Sequence, residues 1–324
     1  MAKPLTDSSE RTVAMVRSVD TPKSAFFGLK PRTGRFVLFL AVLSLAFSKP
    51  LIELVVYAAR SNLHSYILLV PIISGYLIYS RWHQLPKTYQ TSAGTGSFSF
   101  LVGIIMLIFA MTASGTENNN YFSLIALAFL CFAVSGGFFF LGNRWMSAAA
   151  FPVFFLIFTV PMPDAMADAL ETASKLASTE AANLFFNITG TPTLRDGTIF
   201  QLPNITIRVD QECSGIRSSV VLFLTSLVAA NLFLKTSWRR VFLVGFVIPL
   251  GVLRNGFRIW VIGTVCIEYG PQMIHSIIHR RGGPFFFSLS LIPLFLLLWY
   301  LKRGEAKVGS HSQISAVGGP NPKT

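Results

Sequence analysis

The sequence is poor in charge, in acidic residues and in cysteine. Charged residues make up 13% of its 324 positions, hydrophobic residues make up 52%, and the mean hydropathy is +0.57. A soluble domain needs a polar surface, and this composition excludes one. It predicts a polytopic membrane protein. Acidic residues number 14 against 27 Lys and Arg, for a net charge of +13. That excess invites a nucleic-acid partner. None is expected, because much of the Lys and Arg lies in the polar N-terminal stretch and in short loops between apolar runs, where bilayers place cations. The cysteines are Cys131, Cys213 and Cys266. An odd number, two of them inside apolar runs, argues against a disulfide framework. A single Cys213–Cys266 bridge is the minor alternative. His275, His279 and Cys213 could in principle form a metal trio. No further Cys or His is near on the outer side, and His64 is the only plausible fourth ligand, so no metal or cofactor is expected.

What is present is a series of apolar runs. They are Phe36–Ala58, Ser65–Ser80, Phe98–Thr112, Tyr121–Leu141, Trp145–Val160, Ile216–Leu234, Val241–Ile267 and Pro284–Leu301. The fold class is therefore all-α, with about eight transmembrane helices. Lys49-Pro50 predicts a kink in the first run, and Pro161-Met162-Pro163 ends the fifth. Pro249, Gly251 and Gly256 make the seventh look discontinuous. Residues 1–35 are polar and basic and read as a disordered cytoplasmic tail without a cleavable signal. Residues 36–301 form the transmembrane domain. Residues 302–324, rich in Gly, Ser, Pro and Lys, read as a second disordered cytoplasmic tail. Eight spans put both termini on one side. Lys and Arg of the segments on that side outnumber those on the other by about threefold, which makes it the cytoplasmic side.

The segment between the fifth and sixth runs lies on the outer side. Asp164–Ile188 has apolar residues at helical spacing with polar residues between, an amphipathic helix at the interface. Asp196-Gly197 is a hairpin-turn signal. Ile205, Ile207 and Val209 alternate with Thr206, Arg208 and Asp210, a half-buried strand. A small β-hairpin or meander should therefore lead into Cys213.

Cys213 stands just before the sixth run, where a loop enters a helix. The positive end of a helix favours a thiolate, and Arg217, one turn on, adds a cation. The seventh run carries Arg254, Asn255 and Arg258. Ionisable residues at bilayer depth are expensive and mark function. His275 and His279 share a helical face beyond it. The outer face thus offers a thiol, a histidine and an arginine, a set suited to acyl transfer. In that chemistry Cys213 attacks a carbonyl as the thiolate, His279 moves a proton and Arg258 stabilises the oxyanion. Arg254 competes with Arg258, and His275 competes with His279. Arg254, Arg217 and Asn255 are candidate substrate-binding residues.

Taken together, the motifs resemble those of the exosortase/archaeosortase family of membrane cysteine transpeptidases, across residues 36–301. Cys213-Ser214-Gly215-Ile216-Arg217 is similar to the family's nucleophile segment. Val160-Pro161-Met162-Pro163 is similar to its Pro-x-Pro break, and Gly190-Thr191-Pro192 and Gly197 fall in its pre-cysteine loop. Asn255-Gly256-Phe257-Arg258-Ile259 resembles its Asn-x-x-Arg element. His279, with Gly283 four residues on, resembles its His followed by Gly. His64-Ser65 and Leu69-Val70-Pro71 are similar to an early outer patch, but the order departs from the family's, and no role is assigned there. The resemblance selects Arg258 over Arg254 and His279 over His275.

The resemblance implies a cysteine peptidase or transpeptidase of the cell (inner) membrane, with its active site on the outer, periplasmic face. Its substrates would be secreted proteins ending in a motif such as Pro-Glu-Pro, an apolar helix and a basic tail (PEP-CTERM-type signals). Cleavage would run through a thioacyl-enzyme, with transfer to an acceptor, in cells that make exopolysaccharide. Two other classes compete. One is a transporter with an intramembrane arginine anion site in a broken helix. The other is a membrane scaffold for polysaccharide assembly.

Overall fold

The computed structural model describes residues 31–61, 63–86, 88–112, 119–203, 205–209, 215–270, 272 and 282–317, with the side chains of 31 and 306–317 excepted. Its helices are α1 (Pro31–Ala46), α2 (Ser48–Arg60), α3 (Val70–Ser80), α4 (Ala93–Thr112), α5 (Asn119–Phe140), α6 (Asn143–Ala148), α7 (Ala150–Phe155), α8 (Asp164–Ile188), α9 (Ile216–Phe233), α10 (Ser237–Tyr269) and α11 (Gly283–Val317). Short 3-10 turns, Ser65–Leu68 and Leu156–Thr159, precede α3 and follow α7. Between α8 and α9 lie β1 (Leu194–Asp196), β2 (Ile199–Leu202) and β3 (Ile205–Arg208).

Among the described residues, five helices, α4, α5, α9, α10 and α11, are long and apolar enough to cross a membrane. Two bent pairs raise that to 7. One is Arg32–Ala46 with Ser48–Arg60, bent by 76°; the other is Ala150–Thr159 with Asp164–Ile188, bent by 90°. Ser65–Ser80 is a shorter apolar helix. These elements fit the eight-run pattern of a polytopic helical membrane protein. The first break falls at Phe47, just before the Lys49-Pro50 pair. The helices also run beyond the predicted membrane domain at both ends, from Pro31 to Val317.

Small residues set the helix spacing, as expected where lipid supplies no hydrophobic drive between helices. Gly103 of α4 faces the ring of Phe132, and Gly136 of α5 faces Phe39, each too close to admit a Cβ. Ser135 and Ser99 donate across the α4–α5 seam to the carbonyls of Gly96 and Cys131, at 2.8 and 2.9 Å. Cys131 and Cys266 are free thiols.

The Pro161–Pro163 stretch is an elbow. Its prolines cannot supply backbone donors, and its carbonyls are taken by side chains at the start of α5. Ser123 donates to the Pro161 carbonyl at 2.8 Å, and the Asn119 amide donates to that of Met162. The backbone N–H of Asp164 donates to Asn120 Oδ1 at 3.3 Å. From this elbow α8 runs to the C-terminal half of α10.

The three strands pair antiparallel in the order β1-β2-β3, a meander. Asp196 pairs with Ile199 around Gly197, whose φ of 56° supplies the turn. Phe200, Leu202 and Ile207 of the sheet, with Val209 just after it, bury against Ala182 and Phe186 of α8 and Ile259 of α10. Arg195 clamps Glu180 of α8 through two bonds of 2.9 and 2.6 Å.

The run that carries Arg254 and Arg258 is one continuous helix of 33 residues, with Pro249 inside it. The break suggested by Pro249, Gly251 and Gly256 does not occur. Gly251 and Gly256 are instead points of close approach. A Cβ on Gly256 would lie 2.5 Å from Ala181 Cβ and 2.9 Å from backbone atoms of Ala181 and Ala182. Backbone cannot step aside as a flexible side chain can. Gly256→Ala should therefore cost about 1–3 kcal/mol of stability, read as a lower thermal midpoint of the detergent-solubilised protein. Gly245→Ala, where nothing lies within 4 Å, is the control. Equal midpoints for the two variants would contradict this packing.

Candidate functional site

The site grows from one glycine. Gly215 precedes α9 with φ 67°, the left-handed region that favours glycine. A Cβ there would also meet the side chain of Asn255 at 2.6 Å. Asn255 is among the most deeply buried polar groups of the protein, with 1% of its surface exposed. The resemblance motifs around Gly215 and Asn255 thus meet in space.

The Gly215 carbonyl gathers donors. It accepts from the backbone N–H of Ser219 at 3.1 Å and from the hydroxyls of Ser218 at 2.9 Å and Ser219 at 3.1 Å. Arg254 reaches across from α10, and its Nη2 donates to the same carbonyl at 3.2 Å and to Ser219 Oγ at 3.1 Å. Gly251 lets α9 come this close, since a Cβ there would sit 2.9 Å from Ser219 Oγ. Arg254 keeps only 7% of its surface exposed, and its Nη1 has no hydrogen-bond partner among the described residues. A charge buried that deeply is tolerated when hydrogen bonds replace its water.

The candidate residues fall into three groups. Arg254 and Asn255 are brought together at Gly215. Arg258 is half-buried one helical turn beyond Arg254, and Arg217 is exposed on the first turn of α9. Cys213, His275 and His279 lie outside the described residues. No group of three or more His, Cys, Asp or Glu residues able to hold a metal ion occurs among the described residues.

Sequence reasoning missed the parts played by Ser219, Gly251 and the Asn119–Ser123 pair. Ser219 lies four residues after Gly215, and Gly251 lies three before Arg254. Small residues at one-turn spacing beside a motif are the signal that was available.

These features define a polytopic helical membrane protein in which a buried arginine and asparagine of one span grip the glycine that starts another. The family model for transmembrane exosortases matches residues 58–296, well over half of the chain. The protein belongs to the transmembrane exosortase family. Membership brings with it a membrane transpeptidase or protease role, with proteins as substrates and the bilayer as setting. Comparison with curated proteins and with solved structures finds no match.

The Arg254–Ser219–Gly215 arrangement predicts energetic coupling. Arg254→Met should destabilise by about 1.5–3 kcal/mol and Ser219→Ala by about 0.5–1.5 kcal/mol. The double variant should lose less than the sum, because the two side chains share a bond. Denaturant unfolding of all four proteins measures this. Strict additivity would mean that the pair does not interact.

Proposed function

We propose that the protein is a membrane-embedded cysteine protease/transpeptidase that cleaves C-terminal sorting signals of secreted proteins. The observation that supports it best is the grip of Arg254 and Asn255 on Gly215, two residues after Cys213 in the sequence. It sets the start of α9 against the arginine helix.

The chemistry follows from residue types. The Cys213 thiolate, favoured by the positive end of α9, attacks the scissile carbonyl carbon. The tetrahedral intermediate places its negative oxygen beside the guanidinium of Arg258. His279 protonates the departing amine as the C–N bond breaks, which leaves a thioester on Cys213. An acceptor nucleophile, amine or water, then attacks the thioester, and the thiolate leaves. Arg254 holds the corner, and Arg217 and Asn255 contact the substrate. The apolar helix of the signal would lie in the bilayer beside the enzyme, with its basic tail on the cytoplasmic side. Both termini are then cytoplasmic, and the reaction occurs on the outer face of the cell (inner) membrane, where exported proteins are sorted in exopolysaccharide-producing cells. The chemistry uses no cofactor.

Cys213→Ala should abolish processing of a co-expressed reporter bearing a Pro-Glu-Pro motif, an apolar helix and a basic tail, while leaving the enzyme's level unchanged. Processing at the wild-type rate would remove the thiol from the mechanism.

Arg258→Lys should lower kcat by about 10²-fold or more, because lysine lacks the planar fork that meets an oxyanion. Arg254→Lys should retain more activity. The reverse order in a reporter time course would move the oxyanion role one turn down the helix.

A further inference from the structure

The end of the bundle opposite the Gly215 corner carries cations that the proposed chemistry does not use. α9 runs away from Gly215, and α10 begins beyond its far end at Ser237. On α10, Arg239 stands about 22 Å from Arg254 along the helix axis. Lys235 in the α9–α10 turn and Arg239 and Arg240 on the first turn of α10 meet Lys302 and Arg303 of α11 there. The two parts are joined by Arg239, whose Nη1 donates to the Leu301 carbonyl at 2.6 Å. Gly304 lets it in, since a Cβ there would sit 3.1 Å from that nitrogen.

The protein supplies little counter-charge. Glu305 is the only acid in 232–240 and 299–305. Its carboxylate accepts from the backbone N–H of Lys235 at 3.0 Å and of Thr236 at 2.8 Å, so it holds the α9–α10 turn to α11. No ion pair forms at this end among the described residues. The cations are positioned by other means. Arg240 Nε donates to the Leu234 carbonyl at 2.8 Å, which leaves the outer fork of its guanidinium for another acceptor. Arg303 lies over the Trp299 ring at 3.9 Å, and Lys302 lies over Phe233 at 5.3 Å. A guanidinium stacked on a ring keeps its N–H edge free.

The surroundings say what completes the patch. Trp238, Trp299 and Tyr300 are exposed at the same level, as in the aromatic belt of a membrane interface. Next along the helices, Val241 and Phe242 of α10 and Leu296 of α11 are exposed and apolar. The cations therefore stand at the depth of phospholipid phosphates, beside a surface that acyl chains can cover. Phosphate oxygens suit arginine forks, and the excess of cations over carboxylate favours a headgroup of net negative charge. We infer that the α9–α10 turn and α11 form a binding site for the headgroup of an anionic phospholipid, in the leaflet opposite the Gly215 corner. The inference does not depend on the peptidase reading.

Native mass spectrometry of the full-length protein in detergent tests it, with phosphatidylglycerol, phosphatidylcholine and inorganic phosphate as probes. Phosphatidylglycerol should bind at least about tenfold more tightly than phosphatidylcholine, and inorganic phosphate at equal concentration should not displace it. Lys302→Gln and Arg303→Gln remove side chains whose contacts in this region are with aromatic rings, so both variants should fold. Each should weaken phosphatidylglycerol binding about fivefold. Arg144→Gln, an exposed cation of α6 outside the patch, should leave it unchanged. Equal binding of the two lipids overturns the inference, even if no variant can be purified. An equal loss in Arg144→Gln also overturns it, because attraction would then come from overall charge. Displacement by inorganic phosphate overturns the lipid as occupant. Failure of the peptidase reading would leave all of these results untouched, since no reporter is used.

Discussion

A guanidinium buried among apolar helices must find hydrogen bonds inside the protein, and the architecture around the candidate site follows from how Arg254 finds them. Its Nη2 is held by the Gly215 carbonyl and by Ser219 Oγ. Both acceptors belong to α9, so the charge on α10 fixes the register of the two helices. The geometry works only because α9 and α10 lie close, and Gly251 provides the room. Gly215 then starts α9 in a backbone conformation that a side chain would strain, with Asn255 filling the space where a Cβ would be. A helix N-terminus and a buried cation are thus joined through one carbonyl oxygen, and a deeply buried amide packs against the same glycine.

The same helix organises the region around the site. Gly256 and Gly263 admit α8 along its C-terminal half, and the meander covers both helices through Phe200, Leu202 and Ile207. Side chains from the start of α5 bind the carbonyls that the prolines leave in the elbow before α8. The segment leading from the elbow to Gly215 is therefore anchored at its start, along α8 and at its end. This suits a reaction that must present a peptide bond to a nucleophile in a fixed orientation.

Much of this fold was legible in the sequence, because bilayers impose long apolar runs and prolines interrupt them. The amphipathic helix over Asp164–Ile188, the turn at Asp196-Gly197 and the stop at Pro161–Pro163 all follow from local chemistry. The seventh run misled for a physical reason. Proline and glycine weaken an isolated helix, but neighbouring helices support α10 through Pro249, and its glycines serve packing. The partners of Arg254 were not legible, since they lie 35 and 39 residues away in the chain. Nor was the Tyr57–Asn119 bond beside His64, which spans 62 residues. The family motifs pointed to Arg258 and His279. Of these, Arg258 lies one turn from the gripped corner, and His279, like Cys213, lies outside the described residues.

Covalent acyl transfer at Cys213 is the claim on which the functional account stands. Intact mass spectrometry of the enzyme co-expressed with the sorting-signal reporter tests it most directly, in wild type and in His279→Ala, where loss of the proton donor should let an intermediate accumulate. The account predicts a reporter-sized adduct that maps to the peptide containing Cys213 and is absent from Cys213→Ala. A reporter that is cleaved while every enzyme species keeps its unmodified mass, or an adduct that survives in Cys213→Ala, would contradict it.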